Sequence, residues 1–387
     1  MMKTKKLLTL AALTMGLALT GAMMSACSNQ DNPTVDPIDG NPPGGQTIVL
    51  SELESDYVAQ DGDILTGTLD GNTQPYKISI AEGATVVLSD ATIKDNDTKN
   101  YPWAGITCLG DATIILDGEN SVVGFDMNHP GIQPAPEGTT LTIKGEGKLT
   151  ASSIWAAGIG SGSDMTCGNI TIEGGDITAI GGLNAAGIGC GNGSMGTSVC
   201  GDITITGGTV NATSEGGPGI GSGYGYCGSN ICGNITITGG IVTATSGENG
   251  AGIGSGWSGT CGNITITGGT VIATGEYNGA GIGCGLGDED YPSACGDIMI
   301  ECGEGFVSVT AIRGGAALKP IGVFSNDNNF NTCGNITFGD ESINGYGNNY
   351  DYSPGEGNYN GLRLTISSSD PDDPEKEGDT WTLTPAE

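Results

Sequence analysis

The sequence predicts an all-β chain, a single-stranded right-handed parallel β-helix of roughly nine coils with capped ends. Three observations carry this. Glycine is 72 of 387 residues and aromatics only 5%, far from ordinary globular usage. A unit of about thirty residues repeats. Within each unit the apolar residues alternate with polar ones, as in a strand with one face buried.

The repeat is clearest when read from each cysteine. Cys167 opens CGNITIEGGDITAI, Cys200 CGDITITGGTVNAT, Cys232 CGNITITGGIVTAT and Cys261 CGNITITGGTVIAT, with degenerate copies at Cys295 and Cys333. A second mark, Gly-Ile, recurs at Gly105, Gly131, Gly158, Gly187, Gly219, Gly252 and Gly281, at intervals of 26 to 33 residues. Upstream of the cysteines, Thr85-Val-Val-Leu, Thr113-Ile-Ile-Leu and Leu141-Thr-Ile take the place of Asn-Ile-Thr-Ile. Alternation points Ile170 and Ile172, or Ile203 and Ile205, inward, and Thr171 and Thr204 outward. The Gly-Gly that follows makes a corner, Thr-Val-x-Ala-Thr a second strand and Gly-Ile a third, narrow one. Such coils bury their apolar faces only by stacking, at about 4.8 Å per coil. Helix is excluded: glycine and β-branched residues interrupt every trial turn.

The remaining segments divide by composition. Residues 1–27 read as a leader: Lys3, Lys5 and Lys6 precede an apolar stretch from Leu7 to Ala22 too short to span a bilayer. Residues 28–50, rich in Asn, Asp, Pro and Gly, read as a flexible tether. Residues 51–83 are assigned to an N-terminal cap, 84–346 to the coils, and 347–387 to a C-terminal cap with an acidic tail.

Met24-Ser25-Ala26-Cys27-Ser28 resembles the lipobox of bacterial lipoproteins, which implies lipidation at Cys27. The acidic stretch behind it is similar to export signals of surface lipoproteins. Together they imply an outer-membrane lipoprotein of a Gram-negative bacterium, exposed at the surface and touching the membrane only through its anchor. The formal charge is −32, and loss of the three leader lysines would leave −35; such a surface repels nucleic acid and anionic membranes. Asp61-Gly-Asp-Ile-Leu-Thr-Gly-Thr-Leu through Val86-Val-Leu resembles the opening of a family of polysaccharide-binding β-helix lipoproteins. That resemblance implies non-catalytic binding of a polysaccharide or host glycan by a monomer, with Ca²⁺ as an optional companion.

Six of the twelve cysteines lie in one repeat column, and Cys108, Cys190 and Cys284 in a second. A linear column does not supply the convergent thiolates of a tetrahedral zinc site, so a ladder of buried free thiols is expected, with some disulfides as the alternative. The Asn or Asp after each Cys-Gly reads as a ladder or turn residue. Catalysis is not expected: polysaccharide lyases of this fold typically use Arg or Lys as base and none occurs from Leu149 to Ile312. The plentiful acids leave glycoside hydrolysis by paired carboxylates open, but no two of them stand out from the loops as a repeat-breaking pair. His129 reads as a loop residue. The candidate ligand-binding residues are aromatics that break the repeat in the loops flanking Gly-Ile: Tyr224, Tyr226, Trp257 and Tyr291 after it, and Trp103, Trp155 and Tyr277 before it. Aromatic faces suit stacking on sugar rings. Asp288, Glu289 and Asp290 form the densest acidic loop, the candidate Ca²⁺ site, since oxygen-rich loops suit that ion. An adhesive or structural stalk with a protein partner is the alternative to the glycan module.

Overall fold

The computed structural model describes residues 44–95, 101–136, 138–193, 195–225, 228–315, 317, 319–323, 330–343, 354–368 and 379–386. Cys27 and Tyr226 lie outside them. The described chain is all β except for one 3-10 turn, Leu50–Glu52, and forms a parallel β-helix.

Each repeat places its strands on successive faces. The Ile-Thr-Ile strands stack in parallel register, Ile170 on Ile203, Ile203 on Ile235, Ile235 on Ile264 and Ile264 on Ile298. The chain then turns at the glycine pair. Gly175, Gly208, Gly240 and Gly269 sit at φ +93°, +82°, +86° and +78°, a region that only glycine enters cheaply. The Val-x-Ala strands follow, with Val210, Val242 and Val271 in one buried column and Ala212, Ala244 and Ala273 in another.

The seven Gly-Ile strands belong to a ten-stranded sheet from Tyr57–Ala59 to Ile321–Gly322, about 43 Å long at ~4.8 Å per strand. Eight of those strands lie between Ile106 and Gly322, slightly fewer coils than the nine expected. From Ile159 onward a glycine follows each of these isoleucines, and the backbone explains why: Gly254 has φ +137°, and a Cβ there would stand 1.9 Å from the carbonyl oxygen of Gly283.

Two departures from the sequence reading have simple causes. A further five-stranded parallel sheet was not anticipated; it comprises Thr197–Cys200, Ser229–Cys232, Gly259–Cys261, Ala294–Cys295 and Thr332–Cys333. These strands are too short and variable to show alternation. A strand also lies inside the segment assigned to the tether. Thr47–Val49 pairs in parallel with Ile64, Leu65 and Thr66, because Leu50 is fully buried and Ile48 packs against the core. Residues 51–83 then wind as coil, Tyr57–Ala59 pairing with Ile78–Ile80 and the latter with Ile106–Cys108.

At the other end the parallel order stops. Thr380–Pro385 pairs antiparallel with Val309–Ile312 and with Leu362–Ser367. Phe338, fully buried, meets Tyr359 and Trp381 edge-on at 5.7 and 6.4 Å. These strands cover an apolar cross-section that would otherwise meet water.

The cysteine column runs along the interior. Cys200 stacks on Cys232, Cys232 on Cys261, Cys261 on Cys295 and Cys295 on Cys333. The ten cysteines among the described residues are free thiols, eight of them buried. Burial alone pushes Cys108 up to about 12. Thiol contacts with Cys200 and Cys261, together with burial, hold Cys232 well above its usual value. The free-thiol ladder is therefore present, and these groups pack as small apolar side chains.

The Asn and Asp positions form a second ladder at the surface. The N–H groups of Asp202, Asn234, Asn263, Asp297 and Asn335 each donate to the side-chain oxygen one coil earlier, at 2.7–2.9 Å. Asp202 and Asp297 are each flanked by asparagines, so no two carboxylates of this stretch face each other across one coil.

Candidate functional site

The loops that follow Gly-Ile are the most variable part of each coil, and three consecutive ones carry the aromatic candidates. Tyr224 follows the strand Ile220–Ser222, Trp257 follows Ile253–Ser255, and Tyr291 lies in the longer loop after Ile282–Gly283. In-register strands hold these loops one coil apart. Tyr224 and Trp257 pack with ring centroids 4.5 Å apart at 54°.

Backbone bonds stitch the loops together. Gly225 N–H donates to Trp257 O at 2.8 Å, and Ser258 N–H to Leu286 O at 3.2 Å. The Ser258 hydroxyl donates to Tyr291 O at 2.8 Å, while Ser258 itself has φ +55°. Tyr224 is fixed from beneath: its N–H donates to Asn184 O at 2.8 Å, and its carbonyl accepts from Asn230 Nδ2 at 2.9 Å. The buried Asn230 was not legible in the sequence, since it sits in a four-residue strand with no motif around it.

The other candidates lie elsewhere on the coil. Trp155 and Tyr277 stand in the loops before Gly-Ile, 40% and 69% exposed. Tyr277 has φ +38°, a conformation that bulky residues rarely adopt. Trp155 is part of an apolar patch with Ile154, Ile180 and Leu183, all exposed; Leu183 N–H donates to Ile154 O across one coil. Trp103 stacks on Tyr101 at 5.2 Å, lies 6.0 Å from Phe125 and packs against the core. The aromatics thus divide between the loops after Gly-Ile, the loops before it and a core-facing group. The two sets of loops are joined by backbone bonds such as Asn192 N–H to Trp155 O, and Tyr224, Trp257 and Tyr291 occupy successive loops after Gly-Ile.

The acidic loop is internally bonded. One Asp288 carboxylate oxygen accepts from the N–H groups of Asp290 and Tyr291 at 3.1 and 2.9 Å, which makes Asp288 a turn residue. Glu289 and Asp290 are exposed. Among the described residues no group of three or more His, Cys, Asp or Glu side chains is arranged to hold a metal ion.

His129 is packed in its loop 3.8 Å from Asp126. Burial, outweighing the nearby carboxylate, lowers its affinity for a proton.

The repeat geometry agrees with comparison to known proteins. A family model described as "Beta helix repeat" matches five segments, 141–163, 170–192, 203–224, 235–257 and 264–286. These five segments carry β-helix repeats. Each matched segment runs through or from the Ile-Thr-Ile strand, past the glycine corner, into the loop after Gly-Ile. Tyr224 and Trp257 are the last residues of two of them, where the shared unit ends and coil-specific loops begin. No curated protein and no solved structure matches the chain.

Proposed function

We propose that this β-helix is a non-catalytic carbohydrate-binding module, exported and lipid-anchored through Cys27, that presents the loops after Gly-Ile to a polysaccharide or host glycan. The observation that carries the reading is the Tyr224–Trp257 pair on successive coils, 4.5 Å apart, with Tyr291 on the next. Aromatic groups repeated along a rigid edge give a chain of sugar rings large apolar faces and few rotors to freeze. The surrounding surface has no Lys or Arg from Leu149 to Ile312, which favours neutral or cation-bridged glycans over anionic ones.

The test is retention of the soluble chain, starting after Cys27, on a panel of immobilised polysaccharides with and without Ca²⁺. Saturable retention on one class supports the module, and a Ca²⁺ dependence that is lost on Asp290→Asn gives the acidic loop Asp288, Glu289 and Asp290 a part. Retention on none overturns it. A second reading, a stalk that binds a protein, draws on the exposed Ile154, Trp155, Ile180 and Leu183. It is favoured if binding to a protein partner is lost on Trp155→Ala and no polysaccharide is retained.

A further inference from the structure

The thiol column is continuous but not uniformly enclosed. Cys200, Cys232, Cys261 and Cys295 are 1–6% exposed, whereas Cys333, the last of the column, is half-buried. Cys295 and Cys333 are Cα partners in the register of their parallel strands. Neighbouring strands stand about 4.8 Å apart, inside the window of roughly 4.4–6.8 Å between the Cα atoms of a disulfide. The two thiols are in contact, and Cys295 also touches Cys261 and Cys284.

From this geometry we infer that Cys333 and Cys295 form a redox site, oxidised by a small disulfide of the glutathione type into a bond between the last two coils. The sulfur of Cys333, as thiolate, attacks the oxidant; a mixed disulfide forms, one thiolate leaves, and the cysteine proton passes to solvent. The sulfur of Cys295 then attacks the Cys333 sulfur of that mixed disulfide. The Cys295–Cys333 bond forms and the second thiolate leaves, taking up the Cys295 proton. One oxidant disulfide is reduced to two thiols while two cysteines are oxidised to one disulfide.

Position in the column assigns the roles. Entry needs contact with water, and of the stacked partners from Cys200 onward only Cys333 has it. Resolution needs a second thiol within reach, which Cys295 provides. The inner thiols Cys200, Cys232, Cys261 and Cys295 are buried, so an oxidant in solution does not reach them and they react only when an adjacent disulfide is presented. The product ties the rung Ile336–Phe338 to the one below it. Phe338 is the residue against which Tyr359 and Trp381 close the end of the core, so oxidation locks the C-terminal cap.

The experiment uses the purified full chain. The protein is incubated with oxidised glutathione under native conditions, quenched with N-ethylmaleimide, digested and mapped by mass spectrometry. A Cys295–Cys333 disulfide as the first bond of the column, accompanied by an upward shift of the melting temperature that reductant reverses, is the expected result. In Cys333→Ser the column is expected to remain reduced over the same time. Serine is a native occupant of the neighbouring column, at Ser161, Ser222 and Ser255. A measurement on the wild type alone gives the same decision: native alkylation is expected to label Cys333 well before Cys295. The inference is overturned if Cys333 stays unmodified, if its glutathione adduct persists unresolved, or if inner pairs oxidise as fast as Cys295–Cys333. Glutathione on the exposed Cys302, beyond the far end of the strand Ile298–Ile300, is expected in every arm and serves as the control for oxidant activity.

Discussion

Replacing Gly254 by alanine isolates the device on which coil stacking depends. The residue has φ +137°, and holding a non-glycine residue there costs about 1–3 kcal/mol. The new Cβ would lie 1.9 Å from Gly283 O and 2.8 Å from Gly283 C. The obstacle is the backbone of the next coil, with no flexible side chain to yield, so the two coils must separate locally; overpacking of this kind costs about 1–3 kcal/mol. The expected loss is about 2–6 kcal/mol. It falls on one interface of a structure whose stability is a sum over neighbouring coils, so the melting transition should broaden as well as move. Gly315→Ala is the control, since its φ is unexceptional and nothing lies within 4 Å of a Cβ there. Thermal and denaturant unfolding followed by circular dichroism measures both. A Gly254→Ala protein no less stable than Gly315→Ala would refute the stacking argument.

Two further outcomes follow from the core and the first coil. Ile235→Ala, in the fully buried isoleucine column, should cost about 2–5 kcal/mol in denaturant unfolding; a loss under about 1 kcal/mol would mean the column is not close-packed. Asp63 supplies a pH dependence. Burial raises its pKa, but the N–H groups of Gln46 and Gln60 and the Tyr57 hydroxyl, at 3.0, 2.8 and 2.7 Å, outweigh that and hold it below its usual value. A lowered folded-state pKa means that this stability is complete above the unfolded value of about 3.9 and is lost as pH falls through the folded one. The melting-temperature gap between wild type and Asp63→Asn should therefore narrow in acid; a constant gap would show the carboxylate is not the stabilising species.

The parts of the fold legible in the sequence are those where one residue type must recur at one place. The φ values of Gly208 and Gly254 favour glycine, Ile203 and Ile235 fill the same slot in successive coils, and Asn234 and Asn263 each accept the equivalent N–H of the next coil. The strands Thr197–Cys200 and Ser229–Cys232 were not legible, because a strand defined mainly by its neighbours tolerates Thr-Ser-Val-Cys and Ser-Asn-Ile-Cys alike. The candidate site was legible only as an excess of aromatics in the loops. Which of them meet depends on loop paths that no repeat constrains. Asn230 and Ser258 bring Tyr224, Trp257 and Tyr291 into register, and nothing in their spacing marks them. Trp103 carries the same signal as Trp257 in the sequence, yet packs against the core because Tyr101 and Phe125 flank it.

Affinity electrophoresis of the soluble chain through gels containing the retained polysaccharide tests the glycan reading most directly. The comparison is between wild type, Trp257→Ala and Trp155→Ala. Retardation of wild type and Trp155→Ala, with loss in Trp257→Ala, is the predicted result. Retardation that survives Trp257→Ala and disappears in Trp155→Ala would place the binding surface on the loops before Gly-Ile and contradict the proposed site.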